Sequence, residues 1–180
     1  MSQRMVLGAA AVAMLTVFPA STSLLLADGA QAGKDTILKA SDISPKVFPE
    51  RVFYRGQLAP VQMRNTGGVH FADDHYLLVG LVDLAGYGSP IKEKFQAYLL
   101  NEVTVDVNGK PLEPGAYGIG FVQRSTFIVT DLASNTVLEV AGAKDAELKG
   151  PVPLQVLAAT EAGAYRLYVG RDYVTLKRTK

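Results

Sequence analysis

The sequence predicts an all-β fold, an antiparallel two-sheet β-sandwich with a closed β-barrel as the alternative, on three observations. Short β-rich runs alternate with Gly, Pro and Asn clusters at intervals of about 8–12 residues, the spacing of sandwiches and barrels. Only one segment carries helical periodicity. The composition, 48% hydrophobic and 19% charged over 180 residues, is that of an ordinary globular chain and not of a disordered, collagen-like or coiled-coil one.

The first 32 residues read as an export signal: Arg4 precedes the apolar run Met5 to Phe18, and Ala30-Gln31-Ala32 offers an A-x-A cleavage site that would leave Gly33 as the N-terminus. The rival, an uncleaved anchor over Met5 to Leu26, is opposed by Pro19 and the polar Ser21-Thr22-Ser23. No later stretch is long and apolar enough to span a bilayer, so no transmembrane segment follows cleavage. The remainder, about 150 residues, suits one domain able to bury a full core without staples. Zero Cys agrees, and it excludes disulfides, thiolate metal sites and Cys nucleophiles. The expected location is periplasmic or extracellular.

Residues 33 to 50 carry Pro45 and Pro49 and read as an extended lead-in lying along the domain. Strands are predicted over Arg51 to Gln57, Val61 to Arg64, Tyr76 to Leu84, Val103 to Val107 and Ala116 to Val122. Further strands follow at Phe127 to Leu132, Val137 to Val140, Leu154 to Ala158, Tyr165 to Val169 and Tyr173 to Lys177. Turns are placed at Asn65-Thr66-Gly67-Gly68, Gly86 to Pro90, Asn108-Gly109, Pro114-Gly115, Ser134-Asn135 and Lys149-Gly150-Pro151. One short helix is predicted near residues 90–100, from Ile91, Phe95, Tyr98 and Leu99 at helical spacing behind a Ser89 cap and Pro90. A single long strand from Lys94 to Val107 competes with it. Tyr76 to Val82 is apolar on both alternating faces, so something covers both sides: a second sheet on one, and on the other the segment 91–100, the lead-in or a second subunit.

Alternating valines followed by Asn108-Gly109 and Pro114-Gly115 make residues 103 to 117 the most specific stretch, with Tyr117, Ile119 and Phe121 sharing a face after a type II turn. Val105-x-Val107-x-Gly109-Lys110-x-Leu112-x-Pro114-Gly115-x-Tyr117 resembles the V-x-V-x-G-K-x-L-x-P-G-x-Y hairpin of secreted β-sandwich families. Some of these are uncharacterised and some are of the prealbumin-like kind attached to carboxypeptidases. The resemblance covers about residues 103 to 131 and implies a fold. Such families share no single activity, so it carries no site residue onto this chain.

Three constellations are candidates for function. His70, Asp73, Asp74 and His75 group imidazole with carboxylate and could hold Zn²⁺ or another divalent metal, provided residues 71 to 74 turn so that both rings reach one ion; the alternative is a solvated loop entering the next strand. Ala116, Gly118, Gly120 and Val122 form a small-sided row opposite Tyr117, either a ligand slot along Gly118, Gly120 and Tyr117 or a groove filled from within by an aromatic ring. Arg166, Arg171, Lys177, Arg178 and Lys180, with Asp172 as the only acid among them, form a polyanion patch or an edge-protecting charge set.

Other chemistry lacks a signal. There is no G-x-S-x-G elbow, and Gly115 to Gly120 has G-x-x-G-x-G spacing after a turn, which is not a dinucleotide loop. A net charge of +1, from 18 basic and 17 acidic residues, removes the global argument for nucleic acid. No Trp is present as a stacking platform. The expected function is therefore an exported, non-enzymatic binding or structural module without a cofactor. Its candidate partners are a protein, a peptide, an envelope polymer or a second copy. The alternative is a metal-binding protein or metal-dependent enzyme centred on His70, Asp73, Asp74 and His75.

Overall fold

A computed structural model describes residues 33–43 and 45–179. The export signal expected at residues 1–32 and the basic Lys180 lie outside the described residues. The strands are β1 (Thr36–Lys39), β2 (Arg51–Tyr54), β3 (Gln57–His70), β4 (Tyr76–Val82), β5 (Ala97–Asn101), β6 (Val105–Val107) and β7 (Lys110–Leu112). They continue as β8 (Gly115–Val122), β9 (Thr126–Thr130), β10 (Thr136–Ala141), β11 (Ala143–Lys144), β12 (Leu154–Ala158), β13 (Ala164–Val169) and β14 (Asp172–Arg178), with one helix, α1 (Ser89–Lys94). Every pairing is antiparallel. The large sheet runs β1-β3-β4-β5-β8-β9-β10, with β2 on the first half of β3; the small sheet runs β12-β13-β14-β6-β7, with β11 on β14. Neither sheet closes on itself, so the fold is a two-sheet sandwich and not a barrel.

The core between the sheets draws Val69, Leu77, Val79, Leu99, Ile119 and Val129 from the large sheet and Val105, Val107, Leu154, Leu167, Val174 and Leu176 from the small one. A second core covers the outer face of the large sheet and answers the doubly apolar strand. Leu78, Val82 and Tyr98 point outward from β4 and β5 and meet Ile43 and Phe48 of the lead-in, Val52 and Tyr54 of β2, and Tyr87 and Phe95 around α1. Both single-chain coverings anticipated from the sequence are present together.

Several elements differ from expectation. Asn65-Thr66-Gly67-Gly68 is not a turn but the middle of β3, whose 14 residues first pair with β2 and then lie between β1 and β4. A Cβ on Gly68 would sit 2.3 Å from the Leu77 carbonyl oxygen, so the glycine is there for close approach and not for a bend. The actual reversal before β3 is Arg55-Gly56, both at positive φ (52° and 78°). The helix and strand readings of residues 91–107 each hold for part of the segment. α1 stops at Lys94, and β5 begins at Ala97 and ends at Asn101. Ser89 is inside α1 and Gly88 caps it. Between α1 and β5, the Gln96 amide imitates a strand: its Nε2 donates to the Phe121 carbonyl at 2.9 Å and its Oε1 accepts from the Phe121 N–H at 3.1 Å. Asn108-Gly109 turns at positive φ as expected (47° and 88°). Gly115 has no positive φ and opens β8 instead of a type II turn. The stretch 103–117 therefore spans both sheets: the β6–β7 hairpin belongs to the small one and Tyr117 to the large one. Among the described residues, no helix is long and apolar enough to cross a membrane.

Candidate functional site

The loop between β3 and β4 brings the histidine–aspartate group to one end of the sandwich. It closes through Phe71 N–H to the His75 carbonyl (2.8 Å) and Asp74 N–H to the Phe71 carbonyl (3.0 Å), with Asp74 at φ 68°. The turn required of residues 71 to 74 thus exists, yet each ring takes its own carboxylate. His70 Nε2 lies 2.8 Å from Asp74 Oδ1 and its ring stacks on Tyr76 at 4.3 Å. His75 Nδ1 lies 3.2 Å from Asp73 Oδ2. Asp73 is further committed to Arg178, whose Nη1 and Nη2 each donate to one carboxylate oxygen at 2.6 Å. This bidentate pair is the main reason the Asp73 carboxyl is held well below the usual carboxylate range, helped by His75. Asp35 completes the end: it accepts the Ala72 N–H at 3.0 Å and the Tyr165 hydroxyl at 2.6 Å. Burial, followed by that bond to Asp35, pushes the Tyr165 hydroxyl well above the usual phenol range. Among the described residues no three His, Asp or Glu side chains gather as ligands for one ion. The arrangement ties the β3–β4 hairpin of one sheet to β14 of the other.

The glycine row on β8 is not an open slot. A Cβ on Gly118 would lie 2.6 Å from Tyr54 Cε2 and 2.9 Å from Phe95 Cδ2, and one on Gly120 would lie 2.6 Å from the Lys94 carbonyl oxygen. The small residues admit the outer core, so the groove is filled from within. Tyr54 and Phe95 stack at 3.7 Å over it. Thr130 donates to the Gly118 carbonyl at 3.1 Å, so the buried Tyr54 hydroxyl, 2.7 Å away, is the donor to Thr130 Oγ1. Tyr117 lies on the opposite face, packed against the core between the sheets, with its hydroxyl donating to the Glu113 carbonyl at 2.9 Å.

The basic C-terminal set is spent internally. Arg166 Nη1 reaches the Tyr168 hydroxyl at 3.4 Å, and its guanidinium lies 4.7 Å over the Tyr173 ring. Arg171 donates to the carbonyls of Asp145 (3.1 Å) and Ala146 (2.7 Å), Lys177 pairs with Glu161, and Arg178 is clamped by Asp73. The described members face their own protein and present no open array of cations.

What the sequence reading missed is a groove of about 510 Å³ where β12, the edge of the small sheet, passes over β1 and β3. Residues 37–40, 64–67 and 152–157 line it. Gly67 lies at the crossing, where a Cβ would make ordinary van der Waals contact with the Val156 backbone nitrogen at 3.5 Å. The volume is in the range of small-molecule sites, and the lining is mostly aliphatic. Alternation along β12 sends Leu154 and Val156 to the core between the sheets and turns Gln155 to the outer face of the small sheet, so its buried amide nitrogen, which has no hydrogen-bond partner among the described residues, does not face the groove. No local motif announces this groove, because its walls come from three stretches far apart in the chain. Compared with protein families, with curated proteins and with solved structures, the chain finds no match in any of the three.

Proposed function

We propose that the chain is an exported, non-enzymatic binding module whose ligand seat is the groove between β1, β3 and β12. The observation that carries this reading is a mostly aliphatic groove of about 510 Å³ whose only charged lining residues, Lys39 and Arg64, form no ion pair among the described residues. Hydrogen-bonded strands form most of its three walls, which favours a preorganised seat. The Arg4–apolar–Ala30-Gln31-Ala32 pattern supports export.

The test uses the apolar dye 1-N-phenylnaphthylamine, whose fluorescence rises in apolar sites, on the processed protein. Ala40, half-buried in the groove wall, is replaced by Trp to fill the space. Wild type should bind the dye, and Ala40→Trp, with an unchanged circular-dichroism spectrum, should bind it at least about tenfold more weakly. Absence of dye binding, or equal binding by the variant, would reject the groove as the seat.

A further inference from the structure

We infer that the groove selects a linear acyl chain with an anionic head, a fatty-acid carboxylate, an inference that rests on the groove being the ligand seat. The lining supplies aliphatic side chains such as Ile37, Leu38, Val152 and Leu154 and no aromatic ring. It therefore offers extended apolar contact without the aromatic platform on which sugars stack. The only charged residues in the lining are Lys39 and Arg64, both cationic. Neither forms an ion pair among the described residues, whereas Arg166, Lys177 and Arg178 all do. Alternation along β1 puts Lys39 on the face of Ile37, which packs toward the core between the sheets.

The remaining polar groups of the lining sharpen the choice of sign. The Thr66 hydroxyl already donates to the Met63 carbonyl at 2.8 Å, and the Asn65 amide donates to Gln62 Oε1 at 2.8 Å. The side-chain donors left over are the Lys39 ammonium and the Arg64 guanidinium. The acid next to Lys39, Asp42, lies outside the lining and is taken up by the Lys39 backbone N–H (2.9 Å) and the Ser41 hydroxyl (3.2 Å). Two cations in a lining without an acidic side chain match an acceptor-only, negatively charged group, and an aliphatic lining matches a hydrocarbon tail.

Displacement of 1-N-phenylnaphthylamine by three ligands of equal tail length, each below its micelle concentration, tests this. Dodecanoate should displace the dye at a concentration at least about tenfold lower than dodecanol, and dodecyltrimethylammonium should be weakest. In Lys39→Gln/Arg64→Gln, both at exposed positions, dodecanoate should fall to the level of dodecanol while dodecanol is unchanged. Equal displacement by all three ligands would overturn the inference and leave the groove reading standing. So would a double variant that keeps its preference for the acid. Tighter displacement by an extended acidic peptide than by dodecanoate would overturn it in favour of strand addition at the β12 edge. If the dye does not bind, the inference and the groove reading fall together.

Discussion

Gly118 shows how one missing methyl group organises a layer. Its bare Cα lets Tyr54 and Phe95 rest on β8, and the Tyr54 hydroxyl then reaches Thr130 in a fully buried hydrogen bond. Gly118→Ala would place a carbon within 2.6–2.9 Å of Tyr54, Thr130 and Phe95, none of which can retreat inside a filled core. The expected cost is about 1–3 kcal/mol of overpacking strain, read from the urea midpoint at an unchanged slope. A variant as stable as wild type would mean that the outer aromatic layer is loosely packed. The small-sided row itself was legible in the sequence, as was the chance that a ring fills it. Which ring does so was not, because Tyr54 and Phe95 lie 64 and 23 residues before Gly118 in the chain. The same holds for His70 and His75: their proximity was readable, but the claim of Arg178 on Asp73 comes from 105 residues away.

At the level of elements, regular alternation made the C-terminal strands readable. β12 coincides with its predicted span, and β13 and β14 each begin one residue before theirs. Elements with tertiary reasons for their residues were not. Glycines in β3 serve close packing while looking like a turn, and β5 is hidden behind a helix too short to show where its periodicity ends. The β3–β4 hairpin and β14 are joined by the Asp73–Arg178 clamp, which leads to a pH prediction. The Asp73 pKa is lower in the folded protein than in the unfolded chain, so the clamp contributes fully above the ordinary carboxylate value of about 4 and is lost as pH falls below it. Asp131, held low chiefly by Asn135, acts in the same direction. The melting midpoint of wild type should therefore drop as pH is lowered from about 5 to 2. In Asp73→Asn the drop should be shallower, from a lower starting point at neutral pH. Parallel curves for the two proteins would show that the clamp contributes nothing to acid stability.

For the molecule as a whole, the two cores share a wall. Leu77 and Val79 of β4 face the small sheet while Leu78 and Val82 face the outer layer, and Leu99 and Tyr98 divide in the same way on β5. Neither core can dissolve without baring the reverse side of strands that hold the other. Unfolding should accordingly be a single cooperative step: far-ultraviolet circular dichroism and tyrosine fluorescence, the useful intrinsic signal in a chain without Trp, should give coincident denaturation curves. Two separated transitions would show that the outer layer peels off first. The two-sheet architecture was legible from strand spacing, and the need for covering on both sides was legible from β4. The order of strands was not, since pairing partners leave no local mark.

A strand wrapped on both sides in the finished protein has a different character before the wrapping arrives. Tyr76 to Val82 is seven residues with no charge and no proline, the composition of segments that stack into cross-β assemblies when left bare. Asp73 and Asp74 upstream and Asp83 immediately downstream act as gatekeepers on its two flanks. The hazardous interval in the life of this chain runs from emergence of β4 through arrival of Phe95 and β5 to that of the small sheet, which covers its second face, and crowding among nascent copies then is what would divert it into aggregates.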